Sequence, residues 1–224
     1  MMSSSKIIMV EGESDKSFFE EVCKILGLNT KIQVAPPRDI GGQHNSKEGI
    51  FKHLSSLLPL LDQGQLTHLA VVMDADHQLA GGLGCNATIS RMESILTPFG
   101  FSLRKNSDPK KSGLVFDHND GLNSIGVWVM PNNQNEGMIE DWMKMCVSAS
   151  EKTLLQHAIQ ITKALPIQKF KEHHRSKAEI ATWLAWQSKP DRGAYHALQE
   201  NNFDSNSPAF QQLVDWLKRI FINH

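Results

Sequence analysis

Apolar positions along the chain follow two periods, and the switching between them predicts the architecture. Residues 6–10 (KIIMV) are a short β-branched run stopped by Gly12, which predicts a buried strand. Ser14 opens a helix to about residue 26, with Phe18, Val22, Ile25 and Leu26 as its apolar stripe and Gly27 as its stop. Residues 31–35 predict a second strand, ended by Pro36 and Pro37. A loop with Gly41 and Gly42 leads into a helix over about 46–61, with Ile50, Leu54, Leu57, Leu58 and Leu61 facing inward. Residues 68–73 (HLAVVM) are nearly all apolar, as a parallel strand buried on both faces requires. After Gly81, Gly82 and Gly84 come a helix over about 87–96 and short strands at 101–103 and 114–116. A buried strand at 125–130 follows, closed by Pro131. From Gly137 onward the period is helical, predicting helices at about 138–147, 150–164, 175–187, 194–200 and 208–221.

This order predicts an α/β fold: a Rossmann-like parallel sheet of about four strands flanked by helices, with a C-terminal helical extension. The division falls at 1–147 for the α/β part and 148–224 for the helices packed on it, unless the two form one continuous domain.

Composition narrows the function classes. The 224 residues can bury one sizeable core, and 40% hydrophobic with 21% charged residues is an ordinary globular mixture. A formal charge of -1 gives no global basic surplus, so any nucleic-acid contact must rest on a local patch. Cys23, Cys85 and Cys146 are widely spaced and form no CxxC pair, which predicts free buried thiols in a reducing compartment. The apolar stretch at residues 7–10 is too short for a signal segment or a membrane span, so a cytoplasmic location and no membrane partner are expected. Oligomeric state is left open, a homodimer included.

The chemistry lies in where the acids fall. The first strand runs into Glu11, Gly12, Glu13, Ser14 and Asp15; the 68–73 strand runs into Asp74, Ala75 and Asp76. The 125–130 strand leads through a polar loop to Glu140 and Asp141. In a parallel sheet the carboxyl ends of all strands share one edge, and ligands bind in the crevice outside it. Asp74 and Asp76 in extended chain would point the same way, roughly 6–7 Å apart. Such a pair repels by about 2–3 kcal/mol at an effective dielectric of about 20. A hard cation relieves the repulsion, and Mg²⁺ (or Mn²⁺) needs only one or two carboxylates plus water and phosphate oxygens. Taken singly, each acid has an ordinary alternative: a solvated turn for the DxD, a helix N-terminus for Glu13, Asp15, Glu140 and Asp141. Their joint occurrence, each after a buried strand, favours a shared site.

Val10 to Asp15 followed by a helix resembles the first motif of the Toprim domain, which is shared by topoisomerases, primases and the overcoming-lysogenization-defect nucleases. Val71 to Asp76 resembles the DxD motif of that domain. The resemblance is closest to uncharacterised bacterial Toprim-like proteins related to those nucleases, through Trp128 to Asp141 and the helix start Ser176-Lys177-Ala178. It implies acid/base work for Glu11 and Mg²⁺ binding by Asp74 and Asp76. It also implies that Asp15 is the second acid of the first motif, Glu140 completes a second metal site, and Lys177 is the downstream lysine. The position of a third acid, in families with DxDxD, is Gln78 here, which leaves a second metal open.

The densest basic stretch holds Lys163, Lys169, Lys171, His173, His174, Arg175 and Lys177. Lys169, Lys171 and Arg175 are candidates for a phosphate-holding edge, against the plain alternative of a solvated interhelical loop. Arg104, Lys105, Lys110 and Lys111 are a second candidate patch. None of the ten histidines has a metal-ligand spacing; the adjacent His173 and His174 should point to different faces, and His77 is a candidate base or a surface residue. Trp183, Trp186, Trp216 and Phe221 recur at helical spacing and predict packing of the C-terminal helices.

The sequence thus favours a metal-dependent phosphodiesterase, a nuclease acting on DNA or RNA, with Lys177 stabilising transition-state charge. A nucleotide-sugar transferase using the DxD leaves the acids of the first strand without a role. An aspartate-nucleophile phosphatase would carry its DxD on the first strand. A degenerate Toprim module that binds metal or a partner without catalysis is the remaining alternative.

Overall fold

Side chains alternate between the two faces of a strand, and the buried strands here are apolar on both. A computed structural model describes residues 5–35, 47–105, 108 and 112–222. The expected loop with Pro36, Pro37, Gly41 and Gly42, and the basic Lys110 and Lys111, lie outside the described residues. The strands are β1 Lys6–Val10, β2 Lys31–Val34, β3 His68–Asp74, β4 Phe101–Leu103, β5 Leu114–His118 and β6 Ile125–Met130. The helices among the described residues are α1 Glu13–Ile25, α2 Lys47–Asp62, α3 Gly84–Leu96, α4 Ile139–Cys146, α5 Lys152–Lys163, α6 Arg175–Ala185, α7 Ala194–Gln199 and α8 Pro208–Phe221.

The sheet has six strands in the order β2-β1-β3-β6-β5-β4. β1 pairs in parallel with β2 and β3, and β3 pairs in parallel with β6. β5 and β4 continue the sheet antiparallel to β6 and to each other. The expectation of a parallel sheet of about four strands is therefore corrected to a mixed six-stranded one. The short runs at 101–103 and 114–118 do not end as isolated pieces: they extend the β6 edge, where no helical crossover is needed because antiparallel neighbours can be joined directly.

Each face carries its own core. Ile8, Val10, Ala70, Val72, Trp128 and Met130 meet α1 and the helices from α4 onward. Ile7, Met9, Leu69, Val71, Val127 and Val129 meet α2 and α3. The last helix lies so close to β6 that a Cβ on Gly126 would come within 2.7 Å of the Ile220 side chain. Trp216 of this helix donates its indole N–H to the Leu114 carbonyl at 3.2 Å. Trp183, Trp216 and Phe221 are core residues as expected, whereas Trp186 is 39% exposed at the end of α6, outside the buried stripe. The three cysteines are free and buried. Among the described residues no helix is long and apolar enough to cross a membrane.

Candidate functional site

The parallel pairings place the carboxyl ends of β1, β3 and β6 side by side. Glu11 follows β1 directly, Asp74 ends β3, and Glu140 sits in the first turn of α4 after the loop that leaves β6. Backbone donors sew the three together. The Asp74 N–H donates to Glu11 Oε1 at 2.9 Å, and the Ile139 N–H at the start of α4 donates to Asp74 Oδ1 at 2.9 Å. The loop between β6 and α4 is held in shape by its own amides: Asn133 Oδ1 accepts from Val129 N–H at 2.7 Å, and Asn132 Oδ1 from Asn135 N–H at 2.9 Å.

Asp15 and Asp141 serve a structural purpose with one oxygen each. Asp15 Oδ2 accepts from Gly12 N–H at 3.1 Å, and Asp141 Oδ2 from Met138 N–H at 3.0 Å, so each stands three residues past a helix start and caps it. Asp141 Oδ1 also accepts from Ser176 Oγ. Lys144 donates to Ser176 Oγ at 2.8 Å and reaches the buried Glu179 at 2.5 Å. This network, which the sequence reading did not foresee, fastens α6 to α4. It explains the Ser176-Lys177-Ala178 helix start physically: Ser176 anchors the helix, and the next residue, Lys177, faces the rim.

The second acid of the DxD does not stand where extended geometry would put it. Asp76 has φ +62°, in the left-handed region that Asp tolerates better than most residues. Its backbone forms an isolated bridge with Gly137, donating at 2.9 Å and accepting at 3.4 Å. The extended backbone assumed for the Asp74–Asp76 pair does not hold at Asp76, although its charge still acts on Glu11 and Lys177 at the same rim. Asp76 instead meets Lys47, whose Nζ lies 2.6 Å from Asp76 Oδ2 and 3.2 Å from the Ala75 carbonyl. Lys47 is the first described residue of α2, and its side chain is only 10% exposed.

The electrostatics follow from this geometry. Burial pushes Glu11 up to about 7, against the opposing pull of Lys47 and the Asp74 amide, with Asp76 and Asp15 adding repulsion. Burial, with Glu11, Asp15 and Glu140 adding to it, holds Asp74 well above the usual carboxylate range, and Lys177 opposes this. Glu140 and Asp15 are raised by burial as well, with Lys177 again opposing. For Lys177, burial works against the ammonium, but Glu140, Asp74, Asp15 and Asp76 outweigh it and hold the charge. Among the described residues, Glu140 Oε2 is a buried oxygen with no hydrogen-bond partner.

A divalent cation fits this charge balance. Five carboxylates (Glu11, Asp15, Asp74, Asp76, Glu140) face two ammonium groups (Lys47, Lys177), leaving an excess of negative charge that solvent, backbone amides and protonation must answer. The fit is to an open site rather than a cage: among the described residues no three His, Cys, Asp or Glu side chains are gathered to enclose a metal by themselves. An open, partly hydrated arrangement is what Mg²⁺ takes in phosphate chemistry.

The basic candidates lie to one side. Lys169 and Lys171 are exposed. Arg175 is occupied, donating to Glu172 at 2.6 and 2.7 Å and to Gln168 at 3.0 Å. It lines a cavity of about 520 Å³ together with His77, Leu79, Asp141 and Ser176. His173 and His174 do not point apart as expected; within a 3-10 turn their rings meet edge to face at 4.2 Å. His77 lies 3.6 Å from Glu136. Arg104 is paired with Asp117 at 2.7 and 2.8 Å.

No curated protein and no solved structure matches the chain. The model of one family, described as "Protein of unknown function (DUF3226)", matches residues 5–222, and the chain belongs to that family.

Proposed function

We propose that this rim is a divalent-metal site for phosphodiester cleavage in nucleic acid, arranged in the Toprim manner that the first-strand and DxD motifs resemble. One observation carries the reading: Glu11 and Asp74 at two strand ends and Glu140 in the first turn of α4 come from three separate segments joined by backbone hydrogen bonds at a partly buried rim, despite the repulsion that Glu11 and Glu140 exert on Asp74. A fold that wanted only stability would replace such acids, because each buried charge without a partner is costly.

Asp74 and Glu140 would hold Mg²⁺ or Mn²⁺, with Asp15 beside them. The ion would polarise a phosphoryl oxygen and neutralise the leaving one. Glu11, raised to about 7, stands in the range where a carboxyl group both accepts and returns a proton near neutral pH. Lys177 faces the same carboxylates and would meet negative charge developing on the phosphoryl oxygens. The cavity beside Arg175 and His77 offers a path for the strand, with Lys169 and Lys171 outside it as phosphate contacts.

The Lys47–Asp76 pair favours a second reading, in which part of the site neutralises itself and the module binds metal or a partner without turnover. The experiment that separates the two is an assay of the full chain on single- and double-stranded DNA and RNA with Mg²⁺ and Mn²⁺, beside calorimetry of metal binding. Cleavage that falls at least about 100-fold in Asp74→Asn supports the nuclease. Mn²⁺ binding with no cleavage of any substrate supports the second reading, and undiminished cleavage in Asp74→Asn overturns the first.

A further inference from the structure

We propose that the rim takes one divalent ion and not two, because Lys47 is a built-in cation at the Asp76 end. The inference rests on the metal-site reading above and adds to it the number and place of the ion.

Lys47 is not a chance surface contact. Its ammonium has three donors, and two are spent at short range, on Asp76 Oδ2 at 2.6 Å and on the Ala75 carbonyl at 3.2 Å. Its stem is buried at the start of α2, whose apolar stripe packs under the sheet. Asp76 is turned to meet it by backbone constraints on two sides. The bridge to Gly137 fixes the chain on one side, and on the other Gly82 is so close that any Cβ there would lie 2.4 Å from Asp76 Cβ. The pair is therefore positioned by three elements: α2, the turn after β3, and the loop after β6.

Two-metal phosphoryl-transfer sites hold their ions about 3.5–4 Å apart and share carboxylates between them. Here the carboxylate that would serve a second ion already has an ammonium at contact distance. A second ion would have to expel Lys47 from a buried position that also satisfies the Ala75 carbonyl. At the other end, among the described residues, Glu11, Asp74, Asp15 and Glu140 form no ion pair at contact distance, Lys47 acting on Glu11 only from its place beside Asp76, and the buried Glu140 Oε2 has no hydrogen-bond partner. The single ion belongs there.

The test is the number of Mn²⁺ ions bound by the full chain, read from the loss of the free-ion electron paramagnetic resonance signal during titration. The expected result is about one Mn²⁺ per chain for the wild type and for Lys47→Arg, and about two for Lys47→Met, the second being the weaker. Should Lys47→Met not fold, Lys47→Gln, which removes the charge but keeps a donor for the Ala75 carbonyl, is likewise expected to bind about two, and one ion in it would equally overturn the role of Lys47. Two ions in the wild type would overturn this inference and leave the metal-site reading standing. A folded Lys47→Met that still binds one would overturn the role of Lys47. No Mn²⁺ bound by the wild type would remove the metal-site reading, and this inference with it.

Discussion

At one end of the acidic rim, Asp76 has a buried ammonium 2.6 Å away and a backbone pinned to Gly137. At the other end, Glu11, Asp74 and Glu140 are gathered just as deliberately but receive backbone amides and the more distant pull of Lys177, and for Glu11 of Lys47 itself, in place of a contact cation. Asp74 and Asp76, one at each end, are only two residues apart in the chain, so local composition does not explain the contrast. What differs is the supply of charge. The Asp76 end is complete as folded, and the Glu11–Asp74–Glu140 end is left with unfavourable ionisation. The first is a structural ion pair; the second is a place where stability has been given up, which is the usual mark of a functional site.

The largest effect that could break this contrast is a pH dependence. Glu11 is raised in the folded chain from an ordinary 4.5 to about 7. The folded state therefore holds a proton that the unfolded state has lost between those values, and stability must fall as pH rises through that window. For Glu11 alone the fall is on the order of 3 kcal/mol, and Asp74, Asp15 and Glu140 shift in the same direction. Urea unfolding in EDTA at pH 5 and pH 8 measures it. The expected outcome is lower stability at pH 8, with the difference reduced by added Mn²⁺. A flat profile in EDTA would mean that the Glu11 end is as well compensated as the Asp76 end.

A smaller effect compares Asp→Asn at the two positions. Asp76→Asn keeps the side chain's shape and its tolerance of the left-handed backbone, but leaves the buried Lys47 with only the Ala75 carbonyl. With Asp76 itself partly exposed, the expected cost is about 2 kcal/mol. Asp74→Asn keeps Oδ1 as an acceptor for the Ile139 N–H while removing a charge that burial and its neighbours oppose. It is expected to raise stability by about 1 kcal/mol at pH 8 without metal. Chemical denaturation of the two variants in EDTA decides it: opposite signs sharpen the contrast, and the same sign dissolves it.

How much of this was legible beforehand depends on range. The buried strands at β3 and β6 were plain from their unbroken apolar runs, and every C-terminal helix fell within two residues of its periodic segment. Strand-end carboxylates were legible too, because parallel β-strands must share a carboxyl edge. The antiparallel β5–β4 extension was seen only as two short runs, since three and five residues do not disclose a pairing direction. The backbone at Asp76 was not legible, because an i, i+2 spacing implies one side only while the chain stays extended, and here it turns left-handed. Lys47 was missed although a signal existed. It precedes Ile50, Phe51 and Leu54 at the spacing of the buried stripe of α2, and a lysine on that stripe must find a carboxylate or a carbonyl inside. Nothing local could have named Asp76, 29 residues on, as that carboxylate.

The smallest expected stability effect asks whether the Glu140 carboxylate belongs to the fold or to a ligand. Glu140 Oε2 is buried and accepts no hydrogen bond among the described residues, so replacing the group with the amide of Glu140→Gln breaks no contact seen at that atom. The lost charge relieves burial and the repulsion from Asp15 and Asp141, and it gives up the attraction to Lys177, with burial the largest of these. The apo chain should therefore gain slightly, by less than about 1 kcal/mol in urea unfolding at pH 8. Metal affinity should respond quite differently, because the oxygen that has no protein partner is the one an ion would use. Mn²⁺ binding is expected to weaken at least about 10-fold, read by calorimetry at constant pH. A variant that binds Mn²⁺ as the wild type does, yet unfolds far more easily, would show the opposite arrangement. Glu140 would then be a structural partner of Lys177, and the uncompensated end would shrink to Glu11 and Asp74 alone.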